Sequence, residues 1–243
     1  MSTWLSHATW PEVPAAGALV LVPVGSTEQH GPHLPLTTDT LIARAVAERV
    51  AARLPEPVLV APAIAYGNSG EHAGFPGTVS IGHEVLRAVL VETVRSLALW
   101  AGPVVFVNGH GGNVRTLQDA VPAMRAEGHC VAWTPCEFPG DAHAGRSETS
   151  VLLHLAPDEV RLSDAAAGDR RPLADLMPRL VAGGVRSVSP NGVLGDPTRA
   201  DEAGGRALLD ALVEDTVLRI TTFTPDDRGR LSAPAWPWPA AGG

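Results

Sequence analysis

The chain has 243 residues, of which 45% are hydrophobic and 18% charged, and its formal net charge is -8 at pH 7. This length and balance are typical of one large globular domain with a well-buried core and exclude a disordered chain. The acidic charge argues against a general nucleic-acid binder, because neutralising phosphates needs clustered basic residues. All 18 basic residues are arginine, so Schiff-base catalysis by a lysine amine is excluded.

The amino-terminal residues and the two cysteines bear on the cellular compartment. Residues 1–14 contain no basic and apolar segments of a secretory signal, and no apolar run approaches the roughly 20 residues that span a bilayer. Cys130 and Cys136 match neither a CxxC redox pair nor a zinc ribbon, and the apolar stretch around Cys130 predicts that it is buried. We therefore expect a cytoplasmic protein with no membrane or nucleic-acid partner.

Predicted strands and helices alternate along the first part of the chain. In order they are a strand at 18–24, a helix at 39–53, a strand at 58–61, a helix at 83–100, a strand at 104–107, a helix at 114–127 and a strand at 130–133. This alternation predicts a three-layer α/β/α sandwich with a mainly parallel central sheet.

The second part of the chain is predicted to add helices only. Amphipathic patterns indicate helices at 147–155 and 206–220, and the segment between them is rich in Pro, Gly and Arg. We expect residues 1–232 to form a single domain. The Pro- and Trp-rich tail at 233–243 has no helix or strand pattern and is predicted to be disordered.

The first candidate site follows the first strand, in the segment Gly25-Ser-Thr-Glu-Gln-His-Gly-Pro-His-Leu-Pro-Leu-Thr-Thr-Asp39. Imidazoles and carboxylates among Gly and Pro suit a divalent metal site. Glu28 and His30 share a face of an extended segment. Asp39 opens the next helix, where it could cap the helix or bridge two metal ions. His33 is a weaker candidate ligand. We expect it to supply a supporting hydrogen bond or to pack against the neighbouring prolines.

The second candidate site follows the third strand and contains His110, within Asn108-Gly-His-Gly-Gly-Asn113. Sites in open parallel sheets form at the carboxyl ends of the strands, so we expect the two clusters to meet in space. Glycines around His110 let the backbone approach a ligand closely. The alternative is a polar loop whose histidine faces solvent.

The third candidate site is His143-Ala-Gly-Arg-Ser-Glu-Thr-Ser150. Glu148 opens a helix, where it could complement the helix dipole, bind a second metal ion or act as a general acid or base. His143 could orient a substrate or shuttle a proton, since an imidazole titrates near neutrality. The residues alone leave these roles open.

These three segments together resemble the creatininase family of metal-dependent amidohydrolases. Two more segments share the likeness, Tyr66-Gly-Asn-Ser-Gly-Glu-His72 with Phe75-Pro-Gly-Thr78, and Gly192-Val-Leu-Gly-Asp-Pro-Thr198, so it covers about residues 18–220. The resemblance implies a creatininase-like fold, a homo-oligomer that is often a hexamer, and two divalent ions of zinc, iron or manganese. It implies that Glu28 binds one ion, His30 the other, that Asp39 bridges them, and that His110 completes the first.

One departure from the family pattern bears on the substrate. Creatininases proper carry Tyr-Glu after the equivalent of His110, and that Glu is a ligand, whereas Gly111 and Gly112 stand here. Either the second ion is held more weakly, or Glu148 supplies the missing carboxylate. The glycines argue against creatinine and leave room for something larger, such as a peptide end. Residues expected to contact substrate or to support the ligands are His33, Tyr66, His72, Gly111, Gly112 and Asn113.

The resulting hypothesis is a metal-dependent hydrolase of amide C–N bonds. The ions would activate water, and Glu148 or His143 would pass a proton to the leaving nitrogen. Residues 61–67 and 148–155 resemble a family subgroup that cleaves the modified C-terminal end of a ribosomal precursor peptide, which is the predicted substrate. A small cyclic amide or formamide is the alternative substrate, and a structural or effector-binding metal module is the alternative outside catalysis.

Overall fold

The computed structural model describes residues 4–14, 17–55 and 57–232. Four strands form one parallel sheet in the order β2-β1-β3-β4. Their bounds are β1 Leu19–Val24, β2 Val58–Val60, β3 Val104–Asn108 and β4 Val131–Pro135. Nearly all of their residues are buried, as expected for parallel strands covered on both faces. The four predicted strands are therefore confirmed, with their ends shifted by one or two residues.

Helices cover both faces of the sheet. Their bounds are α1 Thr38–Ala51, α2 Gly82–Leu97, α3 Val114–Ala126, α4 Arg146–Leu155, α5 Leu173–Gly183 and α6 Glu202–Thr222. On one face, α1, α4 and α6 bury their apolar side chains with Leu21 and Val105. On the other, α2 and α3 pack against Val22 and Phe106. The predicted three-layer α/β/α architecture is confirmed.

Helix α5 lies where the sequence predicted no element. Its pattern is obscured by Pro178, since proline in a helix interior removes a backbone hydrogen bond. Leu176 is its one buried side chain, in a small cluster with Val185, Val188 and Leu194. Tertiary contacts with the segment around residues 185–194 therefore fix this helix in place.

Helix α6 begins four residues before its predicted start. Asp201 caps it by accepting a hydrogen bond from the backbone N–H of Gly204. Glycine disfavours a helix interior, but Gly205 is needed here because a Cβ atom on it would lie 1.8 Å from the carbonyl oxygen of Ser150. The close crossing of α6 and α4 therefore places a glycine in the first turns of α6, ahead of the amphipathic pattern that was used to predict the helix.

Three other expectations concern the edges of the molecule. Cys130 is exposed, so its predicted burial was wrong: strand β4 begins only at Val131 and leaves the cysteine outside the sheet. Among residues 4–14, 17–55 and 57–232, no helix is long and apolar enough to cross a membrane. The disordered tail predicted at 233–243 lies outside the described residues. The single domain and the cytoplasmic location stay predictions.

The loops after the parallel strands all leave from the carboxyl edge of the sheet. Two glycines let the start of α1 lie against this edge. A Cβ atom on Gly25 would lie 2.5 Å from the backbone nitrogen of Thr40, and one on Gly109 would lie 2.4 Å from the carbonyl oxygen of Asp39. Because only glycine permits such an approach, the first turn of α1 is held beside the ends of β1 and β3.

Candidate metal centre

Glu28 is a fully buried carboxylate among three histidines at the carboxyl edge of the sheet. Its Oε2 lies 3.1 Å from Nε2 of His110, and its Oε1 lies 3.3 Å from Nε2 of His72 and 3.9 Å from Nδ1 of His143. Neither oxygen has a hydrogen-bond partner. A buried carboxylate that makes no hydrogen bond is costly, so the arrangement fits a cation at this point.

Asp39 lies in the first turn of α1, almost fully buried between two imidazoles. Its Oδ1 is 3.0 Å from Nε2 of His30 and its Oδ2 is 3.2 Å from Nδ1 of His110. The Ser26 hydroxyl donates a hydrogen bond of 2.7 Å to Oδ2. The carboxylate faces these side chains instead of capping α1. It therefore lies between the histidine of the first predicted cluster and that of the second.

Three sets of side chains in the described part of the chain bring at least three nitrogen or oxygen ligand atoms within 4.8 Å of one another. They are Glu28 with Asp39 and His110; His30 with His143 and Glu148; and Glu28 with His72 and His143. The 3.0 Å contact between Asp39 and His30 joins the first two sets. Mixed imidazole and carboxylate donors suit zinc, manganese and iron. The residues present thus fit a pair of divalent ions.

Opposite charges dominate the centre in its metal-free form. Burial lowers the pKa of His30, but Asp39 outweighs it and raises that pKa to about 10. Burial also lowers the pKa of His110, but the negative charge of Glu28 outweighs it, and the pKa rises to about 9. Burial raises the pKa of Glu28 to about 7. Burial also raises the pKa of Asp39, but the charge of His30 outweighs it, and that pKa falls well below its usual range. His30 and His110 therefore carry protons that a metal ion would displace.

The surrounding histidines are neutral. Burial and the charge of His30 lower the pKa of His33 to about 4 and that of His72 to about 3. The same two causes lower the pKa of His143 well below its usual value. Burial raises the pKa of Glu148. Neutral imidazoles offer one lone pair each, which a ligand or a proton acceptor needs.

A strained turn positions His143 and Glu148. Ala144 is buried with φ at 51°, a conformation that non-glycine residues rarely adopt. Its N–H donates a hydrogen bond of 2.5 Å to Oε2 of Glu148. His143 itself forms an antiparallel bridge with Leu194. The turn is held from both sides, and it points His143 and Glu148 toward His30.

A cavity of about 390 Å³ opens onto the centre. Its polar wall comes from the carboxyl edge of the sheet and its apolar wall mostly from α5. Together the lining residues are Glu28, Glu71, His72, His110, Gly111, Gly112, Ala142, His143, Leu173, Met177, Leu180, Val181, Val185 and Leu194. Such a cavity, apolar with a few convergent polar groups, is typical of a small-molecule or peptide-end site.

The two glycines after His110 differ in their surroundings. A Cβ atom on Gly111 would meet nothing within 4 Å, so this position leaves space open. One on Gly112 would lie 2.3 Å from the carbonyl oxygen of Asn68 and 2.6 Å from Oε1 of Glu71. The space expected at both positions therefore exists only at Gly111. At Gly112 a carboxylate from another loop already occupies it.

Three of the predicted supporting residues lie off the cavity wall. Nε2 of His33 is 2.9 Å from the Thr149 hydroxyl. Asn113 donates to the carbonyl oxygen of Gly25 and accepts from the N–H of Asn68, and so ties the loops together. Tyr66 is half exposed. The structure thus gives His33 and Asn113 supporting contacts and places Tyr66 outside the cavity lining.

Sequence reasoning missed Gln29, Glu71 and the apolar side chains of α5. The amide nitrogen of Gln29 lies 2.9 Å from Nδ1 of His72 and 3.1 Å from Nε2 of His143. Oε1 of Glu71 is 3.7 Å from Nε2 of His110. Both residues stand next to predicted site residues in segments already singled out, and that adjacency was the available signal. Their roles depend on contacts with His72, His143 and His110, which lie far from them in sequence or on another loop.

Comparison with known proteins gives consistent likenesses. A family model described as "Creatininase: Creatinine amidohydrolase" matches residues 6–220. The "Mycofactocin precursor peptide peptidase" of Mycobacterium tuberculosis (strain ATCC 25618 / H37Rv) is 53% identical over 237 residues, 94% of each chain. Two solved structures, "Creatininase Mn" and a mutant creatininase described as "Zn-Zn type", each have a TM-score of 0.77 and 27% identity, covering 93% of this chain and 100% of theirs.

Proposed function

The chain belongs to the creatininase family, and from this we propose that it is a metal-dependent peptidase that cleaves the modified C-terminal end of the mycofactocin precursor peptide. The reaction class, hydrolysis of an amide C–N bond, rests on one observation above all. Two joined sets of ligand atoms adjoin an open cavity, whose wall includes Glu28, His110 and His143 from these sets. The substrate is taken from the named relative, which matches 94% of this chain.

We assign two divalent ions to the centre. Glu28, Asp39 and His110 would hold one, and His30 and Glu148 the other, with Asp39 between them. Ions in such a pair lower the pKa of a water molecule and polarise a carbonyl oxygen. Zinc and manganese, which the titles of the solved relatives name, fit these nitrogen and oxygen donors, and so does iron.

The remaining polar residues handle the substrate and its protons. His143 lines the cavity and is neutral, so it is placed to pass a proton between water and the leaving nitrogen. Glu148 lies behind the cavity wall, against the turn at Ala144, which suits a ligand better than a proton donor. Glu71 lines the cavity beside His110 and offers a carboxylate to a substrate N–H group.

The apolar wall favours a peptide over a small cyclic amide. Leu173, Met177 and Val181 lie one helical turn apart on α5, line the cavity and are exposed. Removing such apolar surface from water contributes about 25 cal/mol per Å², from which the entropic costs of binding are subtracted. A formamide or a creatinine-sized ring is too small to cover this wall, whereas a modified peptide end carrying apolar groups covers it.

The decisive experiment compares substrates. Purified protein loaded with zinc or manganese is incubated with the modified precursor peptide, with creatinine and with a small formamide, and products are followed by mass spectrometry. We expect cleavage near the C-terminal end of the peptide and no comparable turnover of the small amides. Turnover of a small amide alone would establish the alternative substrate class. Tight metal binding without any turnover would establish a structural module.

We also propose that the protein forms a homo-oligomer, such as a hexamer. Trp10, which is 86% exposed, and Trp100 line one surface pocket with three more apolar residues, and contiguous exposed apolar patches often mark contacts between subunits. Neither residue lines the candidate active-site cavity. Sedimentation velocity should give a mass that is a multiple of 25.3 kDa. A monomer at micromolar concentration would contradict this proposal without touching the catalytic one.

A further inference from the structure

We propose that Gln29 is a positioning residue: its side-chain amide and backbone carbonyl fix which ring nitrogen of His72 and of His143 carries the proton. Gln29 stands between two predicted ligands and is only 5% exposed. The catalytic consequence of this inference rests on the proposed function. The hydrogen-bond arrangement itself rests on geometry alone.

The orientation of the Gln29 amide is fixed by two backbone groups. Its Oε1 lies 2.9 Å from the backbone nitrogen of Gly31, and its Nε2 lies 3.0 Å from the carbonyl oxygen of Gly192. A backbone N–H only donates and a carbonyl only accepts. Turning the amide over would set donor against donor and acceptor against acceptor. The NH₂ group therefore points to Gly192 and to the two histidines.

The proton of His143 follows from the backbone of Gln29. Nε2 of His143 lies 2.9 Å from the carbonyl oxygen of Gln29, which can only accept. Nε2 therefore carries the proton, and its 3.1 Å contact with the Gln29 amide nitrogen joins two donors and is not a hydrogen bond. Nδ1 of His143 keeps its lone pair. That nitrogen faces Glu28 Oε1 at 3.9 Å, toward the candidate metal centre.

The proton of His72 follows from the side chain of Gln29. With His143 Nε2 a donor, the two amide hydrogens have two acceptors left, the carbonyl oxygen of Gly192 and Nδ1 of His72 at 2.9 Å. Nδ1 of His72 therefore accepts, and Nε2 carries the proton. This N–H faces Oε1 of Glu28 at 3.3 Å. His72 thus supports the carboxylate of a ligand and is not a ligand itself.

The position of the Gln29 side-chain amide explains why residue 192 is a glycine, in a segment that has no other role in the proposed chemistry. Gly192 has φ at +82°, and a Cβ atom there would lie 1.8 Å from Oε1 of Gln29. Two residues later, the N–H of Leu194 donates to the carbonyl oxygen of His143. The short segment from Gly192 to Leu194 therefore binds the side-chain amide of Gln29 and also the backbone of His143, whose ring is oriented by the backbone carbonyl of Gln29.

The proton positions are directly measurable. The zinc-loaded full-length protein is labelled with ¹⁵N in histidine, and long-range ¹H–¹⁵N spectra distinguish protonated from unprotonated ring nitrogens. Comparison with His72→Gln and His143→Gln assigns the signals. We expect protonated Nε2 and unprotonated Nδ1 in both histidines of the wild-type protein. A protonated Nδ1 in His72 or in His143 would overturn the proposal without any variant of Gln29.

Substitution of Gln29 provides a second test of the proton positions. In Gln29→Glu the ionised carboxylate can only accept, so the proton of His72 should move to Nδ1. Gln118→Glu changes the same group at an exposed site beside Arg228 and should leave both histidine signals unchanged. Zinc content should be retained in both variants. An unchanged His72 signal in folded Gln29→Glu would contradict the proposal.

Peptide cleavage links the arrangement to catalysis. Residues that orient metal-centre histidines typically contribute about 10–100-fold. We expect kcat of Gln29→Glu to fall by that factor with KM little changed. Unchanged kcat would refute the catalytic consequence. If the wild-type protein cleaves no peptide, the proposed function fails instead, and the spectra still decide the proton positions.

Discussion

Asp39 is the carboxylate that two imidazoles share, one at each oxygen. In Asp39→Asn the negative charge is lost and one oxygen becomes a donor that faces a histidine. We expect bound metal, measured by elemental analysis after dialysis, to fall, with affinity weakened at least about 10–100-fold. Asp119→Asn, at a half-exposed contact with His83, is the control and should keep its metal. Full metal content in Asp39→Asn would refute the bridging role.

Raised histidine pKa values make the metal-free protein sensitive to alkaline pH. The folded-state pKa values of His30 and His110, about 10 and about 9, lie above the ordinary value of 6.5. A pKa raised by folding adds stability that is complete below the unfolded value and lost as pH rises through the folded value. The urea midpoint of chelator-treated protein should therefore fall between pH 6.5 and pH 10. His30→Gln should flatten this fall, whereas a midpoint that rises would contradict the assigned charges.

Single residues also show why the site was only partly predictable. Glu28, His30, Asp39 and His110 were recognisable because their types and their positions after strands carry meaning without coordinates. The role of Gln29 depends on Gly31, Gly192 and two histidines, and the amide contacts Gly192 across 163 positions of sequence. The residues next to Gln29 in the sequence give no indication of this long-range contact.

Helix α5 is the element that most directly concerns substrate choice. Met177→Ser should raise KM for the peptide about tenfold, because part of the roughly 1.5–3 kcal/mol of a buried methionine is lost. Chemistry at the metal centre is untouched, so kcat should stay within about twofold. Leu162→Ser is the matched control: Leu162 is 46% exposed, like Met177 at 44%, but does not line the cavity. Equal KM values for the two variants would refute the claim that the apolar side chains of α5 bind the peptide.

The strands and helices differ in how well they could be predicted from the sequence. Strands β1 to β4 are short apolar runs followed by glycine or polar loops, a pattern that depends only on burial from both faces. Helix α5 carries proline in its interior and buries only Leu176. Its position is decided by the cluster with Val185 and Leu194, far along the chain. Local propensity cannot register that contact, so the helix was missed.

Across the whole molecule, metal ions should stabilise the fold, since the ligand candidates come from several loops and helices that unfolding separates. At free metal about 100-fold above Kd, the gain is about 2.7 kcal/mol, or a Tm shift of about 5–10 °C for a chain of this size. Chelator treatment should lower Tm by that amount and added zinc should restore it. The restoration should be smaller in Asp39→Asn. An equal shift in that variant would point to a metal site elsewhere.

The spread of the candidate ligands along the chain also sets an order of events during synthesis. Glu28, His30 and Asp39 leave the ribosome early, but they face His110 only after β3 has inserted beside β1, and Glu148 emerges later still. An incomplete chain therefore offers a cation only loose, single carboxylates and imidazoles. Loading becomes the final step of maturation, so protein made in metal-starved cells should emerge folded, empty and ready to be activated afterwards by the ion supplied.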